Sequence, residues 1–436
     1  MCSAMAVSPV GEFIASIQVA AEAGTIISGH LDDYAVDTAI PDVAVQPATL
    51  QELQIVLTEA HESALAVIPF GGGAHMAAGN VAMVYDVALS TARMAEIVAY
   101  EPADLTVTAQ AGVPLAALQS RLMAEHRQWL PLDPACGPTA TVGGVLAANA
   151  YGPRRHAYGT ARDWLIGMRV VHADGTSSKS GGRVVKNVTG YDMHKLHIGA
   201  LGTLGVIADA TFKLTPLPKV DVSVAIECHS AREAARIAAD AHGAGLSLQA
   251  AELLSPPTSQ TMVAGARWTL LARVAGGAAA VERSLQELRA MATVVGARIN
   301  DVDGAGVWQA WSNAFHPQVL SLRIVVAPSV VADTIQVLDR QFIGAAAALS
   351  ATISAGVIRA QLHPTREARA HALVVSAVEI AARHEGFVVV DAAPVSLKRQ
   401  IDVFGPPRPD FAIMRRLKEE FDPKRTLSPG RFVGRL

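Results

Sequence analysis

Two glycine-rich loops, about seventy positions apart, constrain this chain more than any other feature of its sequence. The first, PFGGGAHMAAGN at 69–80, overlaps the end of the short apolar run ALAVIPF at 64–70. The second is GPTATVGGVLAANAYGPRRHAYG at 137–159. Glycine loses more backbone freedom on folding than any other residue. Such clusters therefore mark tight turns or a backbone pressed against something. Successive amide N–H groups with no side chains in the way form a nest for phosphate oxygens. One loop suits one phosphate, and two brought together by the fold could embrace a diphosphate from both sides. Neither loop holds a cluster of lysines, so backbone donors must do most of the neutralising. The bland alternative is that both are only turns in a strand-rich domain. A third run, KNVTGYDMHKLHIGALGTLGVI at 186–207, places glycines at 190, 199, 202 and 205 and poses the same choice.

The common nucleotide motifs are missing. The chain has no Gly-Lys pair, which excludes a phosphate-binding loop of the Walker kind, and no G-x-G-x-x-G completes the triple glycine. Gly199, Gly202 and Gly205 have the wrong spacing and precede a strand, so a Rossmann reading is unsupported. Zinc-protease and deaminase signatures and the G-x-S-x-G elbow are absent. The cysteines, Cys2, Cys136 and Cys228, form no C-x-x-C pair, which argues against an iron–sulfur cluster or a disulfide framework in this chain. A net charge of −3 gives no footprint for nucleic acid. The triplet Asn187-Val188-Thr189 is discarded as a glycosylation site, because no basic n-region precedes it and a cytoplasmic location is the default. The longest uncharged run, 341–358, carries Ser, Thr, Gln and two glycines. It reads as a helix end, a turn and a strand rather than a membrane span.

The chain is long enough for two domains. Thr49-Leu50-Gln51-Glu52 has the form of a capping box, with Leu53, Val56, Leu57 and Ala60 at helical spacing after it. Strands are expected at 64–70, 81–88 and 105–112, then a helix with Pro114 at its first position. Residues 129–218 read as short strands joined by long ordered loops, and TPLPK at 215–219 as a linker. From 220 to 302 the order is β-α-β-β-α-β, the split-βαβ pattern. Strand 319–327, helix 329–347, strand 350–360, helix 365–385 and strand 387–391 follow. The tail 421–436 is expected to lie across another surface.

The string TVGGVLAANAYGPRRHAYGTARDWLIGMRVVHADG, followed by GGRVVKNVTGYDMHKLHIGALGTLGVIADATFKLTPLP, closely resembles the FAD-linked oxidase family of the vanillyl-alcohol oxidase type. Within that family it is most similar to the FAD-binding (E) subunits of bacterial glycolate oxidases. The resemblance runs from about residue 40 to 218 and returns at FDPKRTLSPGRF. It implies an α+β fold: a two-subdomain FAD-binding domain (PCMH-type) at 1–218, an α+β cap domain with an antiparallel sheet at 219–400, and a segment at 401–436 returning to the FAD domain. It also implies FAD as cofactor. Pro69, Phe70, Gly71, Gly72, Gly73, Ala74 and His75 would wrap the pyrophosphate, with Pro138, Thr141, Gly143, Gly144 and Asn149 from the second loop. Tyr158 and Gly159 would pack close by, and Gly202, Gly205, Val206 and Ile207 would run along the FAD. Alanine at 74 and histidine one place later predict non-covalent attachment.

Two departures from the family pattern bear on function. No Gly-His-x-Gly-Asp-Gly-Asn motif supplies a metal-ligating or basic histidine. The nearest counterpart is Ser354-Ala355-Gly356-Val357-Ile358-Arg359. Ser428 stands where family tails carry asparagine. The resemblance therefore implies no catalytic or metal residue in this chain. The expected function is a subunit of a multi-subunit glycolate oxidase turning glycolate into glyoxylate. A catalytic flavoprotein and an iron–sulfur subunit would be its partners, with any membrane contact through them. One alternative is a self-sufficient FAD-dependent 2-hydroxy-acid dehydrogenase of the lactate type, using Arg323, Arg359 and His363. The other is a scaffold with a vestigial FAD pocket.

Overall fold

The computed structural model describes residues 8–436 apart from 23, 28, 183–189 and 318. The start of the third glycine run, with the Asn187-Val188-Thr189 triplet, lies outside the described residues, as does Cys2.

The capping box is present. Thr49 accepts the Glu52 N–H at 3.1 Å, and Glu52 accepts from the backbone of Thr49 and Ala48. The helix it starts, Leu50–Glu62, buries Leu53, Val56, Leu57 and Ala60. That face covers a four-stranded sheet ordered Ile26–Ile27, Val43–Val45, Val87–Ser90, Val67–Phe70, the last three strands mutually parallel. Each large apolar side chain buried this way contributes roughly 1.5–3 kcal/mol. Because the central strands are covered, they read as unbroken apolar runs.

A second sheet is antiparallel throughout, in the order Ile97–Glu101, Thr106–Gln110, Val206–Lys213, Leu165–Val171, Ser177–Gly181. Pro114 is the cap of the next helix, Leu115–His126, one place earlier than expected. The strand expected at 81–88 is shorter, since only Val87–Ser90 joins a sheet. Residues 80–83 turn instead to the C-terminal segment, Asn80 N–H donating to Arg431 O and Met83 N–H to Pro429 O.

Residues 220–392 build one eight-stranded antiparallel sheet. The expected β-α-β-β-α-β unit occupies half of it, with an added helix, Pro256–Val263, between its two middle strands; the sheet order is Arg298–Val302, Val220–Cys228, Trp268–Gly276, Leu248–Leu254. The other half repeats that unit in mirrored order: Ala346–Thr352, Val357–Leu362, Leu320–Val325, Phe387–Ala392. The halves join edge to edge through Leu248–Leu254 and Ala346–Thr352. The sequence reading merged two strands at 350–360. They are a hairpin, turned by a short 3-10 segment and by Gly356 at φ 64°. The uncharged run 341–358 is consumed by this hairpin, and among the described residues no helix is long and apolar enough to cross a membrane.

The chain then returns to the first sheet. The helix Phe411–Phe421 ends in a buried ion pair, Lys418 Nζ to Asp422 at 2.6 Å, and Lys418 also donates to Thr203 O and Leu427 O. This locks residues 426–431 beside Val67–Phe70, with Val67 N–H on Thr426 O at 2.7 Å and Ser428 N–H on Val67 O at 2.8 Å. The tail therefore lies across another surface, as expected of it.

Candidate functional site

The two glycine loops meet. Thr139 Oγ1 donates to Gly72 O at 2.8 Å. A Cβ on Gly72 would fall on the Thr139 carbonyl and come within 3.2 Å of Ala140 N, and one on Gly71 would strike Thr141 Oγ1. These glycines are therefore needed first for the approach of one loop to the other. The close approach expected from the sequence exists, but protein backbone is the near neighbour. Gly202 makes the same point for the third run. Its φ is +73°, and a Cβ there would lie 2.9 Å from Pro69 Cγ.

Three cavities run in series along this seam. One is lined by Pro69, Phe70, Gly71, Gly143, Gly144, Gly202, Gly205, Val206 and Ile207. The middle one is lined by Pro69, Gly71, Gly72, Gly73, Ala74, His75, Thr141, Gly144 and Gly202. The third, roughly 260 Å³, opens between the glycine loops and the eight-stranded sheet and includes His75 and Asn149. Most of the expected site residues thus line these three neighbouring cavities. Pro138, Tyr158 and Gly159 line none of these cavities. Tyr158 belongs to an aromatic cluster, its ring 5.3 Å from Trp129 and 6.0 Å from Trp164, and Gly159 is closed in by the Asp163 carboxylate.

The third cavity holds chemistry that the glycines do not. Arg323 and Arg359 are direct cross-strand partners, so both side chains leave the sheet on the same face. Arg323 pairs with Asp391 at 2.9 Å and reaches the Tyr151 hydroxyl at 3.4 Å. Arg359 Nη2 donates to Tyr151 O at 3.0 Å, and its guanidinium lies 4.7 Å from the Tyr151 ring. Arg323 Nε and Arg359 Nη1 are buried with no hydrogen-bond partner among the described residues. Burial raises the Tyr151 pKa, but Arg323, Arg359 and Arg155 together hold it below the usual tyrosine value. Burial opposes the charge on Arg323, and Asp391 and Tyr151 outweigh it and raise its pKa. Burial pushes His75 down to about 4; Asp391 pulls it up, while His316 and Arg323 add to the fall. His75 is therefore neutral at pH 7 beside a strongly cationic wall.

Behind Arg359 lies Glu252, fully buried, accepting the hydroxyls of Ser350 and Thr352. His363 is exposed and lines none of the three cavities. Ser428 is buried and donates to Leu201 O at 3.2 Å. Tyr151, Asp391 and Arg431, which also lines the middle cavity, escaped the sequence reading. No local motif marks them, and only the sheet pairing and the path of the tail bring them in.

Comparison with known proteins gives the following. Residues 41–181 match the FAD binding domain family, and residues 407–432 match the C-terminal domain of FAD linked oxidases. A D-2-hydroxyglutarate dehydrogenase from Xanthomonas citri pv. viticola is 37% identical over 42% of this chain and 38% of its own. Glycolate oxidase subunit GlcD of Bacillus subtilis is 28% identical over 58% of this chain and 55% of its own. Glycolate oxidase subunit GlcE of Escherichia coli is 39% identical over 29% of this chain and 37% of its own. The matches therefore span between 37% and 55% of these relatives' lengths. Among solved structures, p-cresol methylhydroxylase with substrate bound aligns over 98% of this chain and 97% of its own, at a TM-score of 0.77 and 16% identity. An alkyldihydroxyacetonephosphate synthase aligns over 97% of this chain and 86% of its own, at a TM-score of 0.74 and 17% identity. At such identities the likeness shows the fold.

Proposed function

Because the chain belongs to the FAD-linked oxidases, we propose that it binds FAD non-covalently along the cleft and oxidises a small 2-hydroxy acid, of the glycolate or lactate kind, to the 2-oxo acid. The residues fit the cofactor. Two glycine loops form a cradle too narrow for side chains, and the middle cavity shares His75, Ala148 and Leu201 with the third. Gly71, Gly72 and Gly73 with Thr141 and Gly144 would hold the diphosphate, and Gly205, Val206 and Ile207 the rest of the nucleotide.

The observation that carries the substrate reading is the guanidinium pair, Arg323 and Arg359, on the wall of a cavity that also holds His75. When bound, FAD supplies the acceptor for the hydride that the alcohol carbon gives up. The free Arg359 Nη1, with Arg323, would take the carboxylate in charge-assisted hydrogen bonds. His75, neutral and on the cofactor side, would accept the hydroxyl proton. The bound carboxylate would raise its pKa toward the working range. This reading puts the substrate in the chain's own cavity, rather than on a partner as the sequence had led us to expect.

A second reading is favoured by the similarity to GlcE: this chain is the FAD-binding subunit of a multi-subunit glycolate oxidase, with a catalytic flavoprotein and an iron–sulfur subunit as partners. A visible spectrum separates the two. Anaerobic glycolate or D-lactate should bleach the flavin of the chain purified alone. Bleaching only after co-expression with partners would favour the second reading, and a colourless protein would refute both.

A further inference from the structure

The third cavity is sorted by polarity, and the sheet pairing gives the order. Ser350, Arg359, Arg323 and Val389 are successive cross-strand partners. They form one row across four neighbouring strands and leave the sheet on the same face. Neighbouring strands lie about 5 Å apart. The Ser350 end of the row is closed. Its hydroxyl accepts from Trp311 Nε1 at 3.2 Å and donates to Glu252, and Trp311 is 1% exposed. Two places along the strands, Ser321 donates to Gln361 Oε1 at 2.5 Å, so these two polar side chains are engaged with each other. The Val389 end is apolar. Val389 lines the cavity from the edge strand Phe387–Ala392. Residues 402–405 run beside that edge, held by the Val390 N–H on Val403 O at 2.7 Å. They bring Phe404 to the cavity, with the Phe432 ring 5.4 Å from its own. Met414 and Val433 line the cavity too. All five of these apolar residues are only half-buried.

Charge sets a second limit. Arg323 and Arg359 share the cavity wall with the carboxylate of Asp391, and Glu252 lies behind Arg359. The wall therefore has at most one net positive charge, enough for one bound carboxylate and not for two. The other cation lining the cavity, Arg408, is exposed and has Asp410 at 3.8 Å. A second carboxylate on the substrate would find no buried cation to pair with among the described lining residues.

Resting on the 2-hydroxy-acid reading of this cavity, we propose that the substrate is a monocarboxylic 2-hydroxy acid with a bulky apolar side chain, branched or aromatic, and that Val389, Phe404 and Phe432 select it. With the carboxylate on Arg323 and Arg359, the closed Ser350 end turns the side chain toward Val389 and the two rings. Glycolate has no side chain and leaves that apolar surface uncovered.

The full chain carrying FAD tests this through kcat/KM with a dye acceptor. The substrates are glycolate and racemic lactate, 2-hydroxyisocaproate, 3-phenyllactate and 2-hydroxyglutarate. Each buried CH2 is worth roughly fourfold, so 2-hydroxyisocaproate and 3-phenyllactate should exceed lactate at least about 30-fold. The dicarboxylic 2-hydroxyglutarate should stay below lactate. Phe404→Ala should cut the preference for 2-hydroxyisocaproate over lactate about tenfold. Glycolate or lactate turned over as well as the bulkier acids would overturn the proposal and leave the oxidase reading standing. So would a preference for 2-hydroxyglutarate, which would give Arg408 a substrate carboxylate. Equal losses on every substrate in Phe404→Ala would mean that the rings pack on the cofactor, and would also count against it. Should that variant fail to fold, the wild-type series decides. A flavin that none of the five acids reduces would remove the substrate reading of the cavity itself, and this proposal with it.

Discussion

Replacing Arg359 by glutamine tests the substrate reading most sharply, because the proposed function gives that guanidinium two separable tasks. One nitrogen holds Tyr151 O, Nη1 is buried with no hydrogen-bond partner among the described residues, and the residue lines the third cavity. A hydrogen bond between charged groups is worth about 1.5–3 kcal/mol, so KM for the hydroxy acid should rise about 10- to 150-fold. If carboxylate binding is equal in ground and transition states, kcat should change much less. The second task is electrostatic. Burial raises the Glu252 pKa, and Arg359 is the largest influence opposing it. Stranding a buried charge costs up to about 3–5 kcal/mol. Here the hydroxyls of Ser350 and Thr352 remain, and Glu252 can take up a proton, so a loss near the lower end of that range is expected. The double variant Arg359→Gln/Glu252→Gln should therefore recover stability without recovering KM. Denaturant unfolding gives the first quantity and steady-state assay with a dye acceptor the second. An unchanged KM in Arg359→Gln would refute the carboxylate role. A KM restored in the double variant would mean that Arg359 only neutralises Glu252.

Two further outcomes follow from the geometry. Gly72→Ala puts a methyl group onto the Thr139 carbonyl, so the loops must part, and the purified protein should lose most of its flavin absorbance while keeping its far-ultraviolet spectrum; full flavin occupancy would contradict the loop contact. Burial pushes His75, His156 and His197 down to about 4, against about 6.5 in an unfolded chain. Between those values the unfolded chain binds protons that the native state refuses, so stability should be complete above about pH 6.5 and fall as the pH drops toward about 4. His197→Gln should flatten that slope, and a denaturation midpoint constant from pH 7 to pH 4.5 would contradict it.

The local elements were legible in the sequence because local rules make them. Thr49 and Glu52 start a helix wherever they occur at that spacing before an apolar stripe. Likewise, the β-α-β-β-α-β order at 220–302 needed only hydrophobic periodicity. The second such unit was missed at a single turn, where Ser354-Ala355-Gly356 sits between two apolar runs that alternate alike. The glycine clusters were recognised, yet the reason for them was not fully visible. Gly72 is small because Thr139 lies against it, and no rule acting over three or four residues connects positions so far apart.

The chain alone therefore settled where many of the helices and strands lie, and which loops have bare backbone to offer. Tertiary structure alone decided what those loops face. Antiparallel pairing set Arg359 opposite Arg323, and the path of the tail brought Arg431 under the glycine loop. His363, close to Arg359 in sequence, was left in solvent. Side-chain direction along a strand is set by local geometry, but the burial of that direction depends on contacts hundreds of residues away. For that reason the glycine loops could be read from the sequence, whereas the pairing of Arg323 with Arg359 and the approach of Arg431 to the first loop could not.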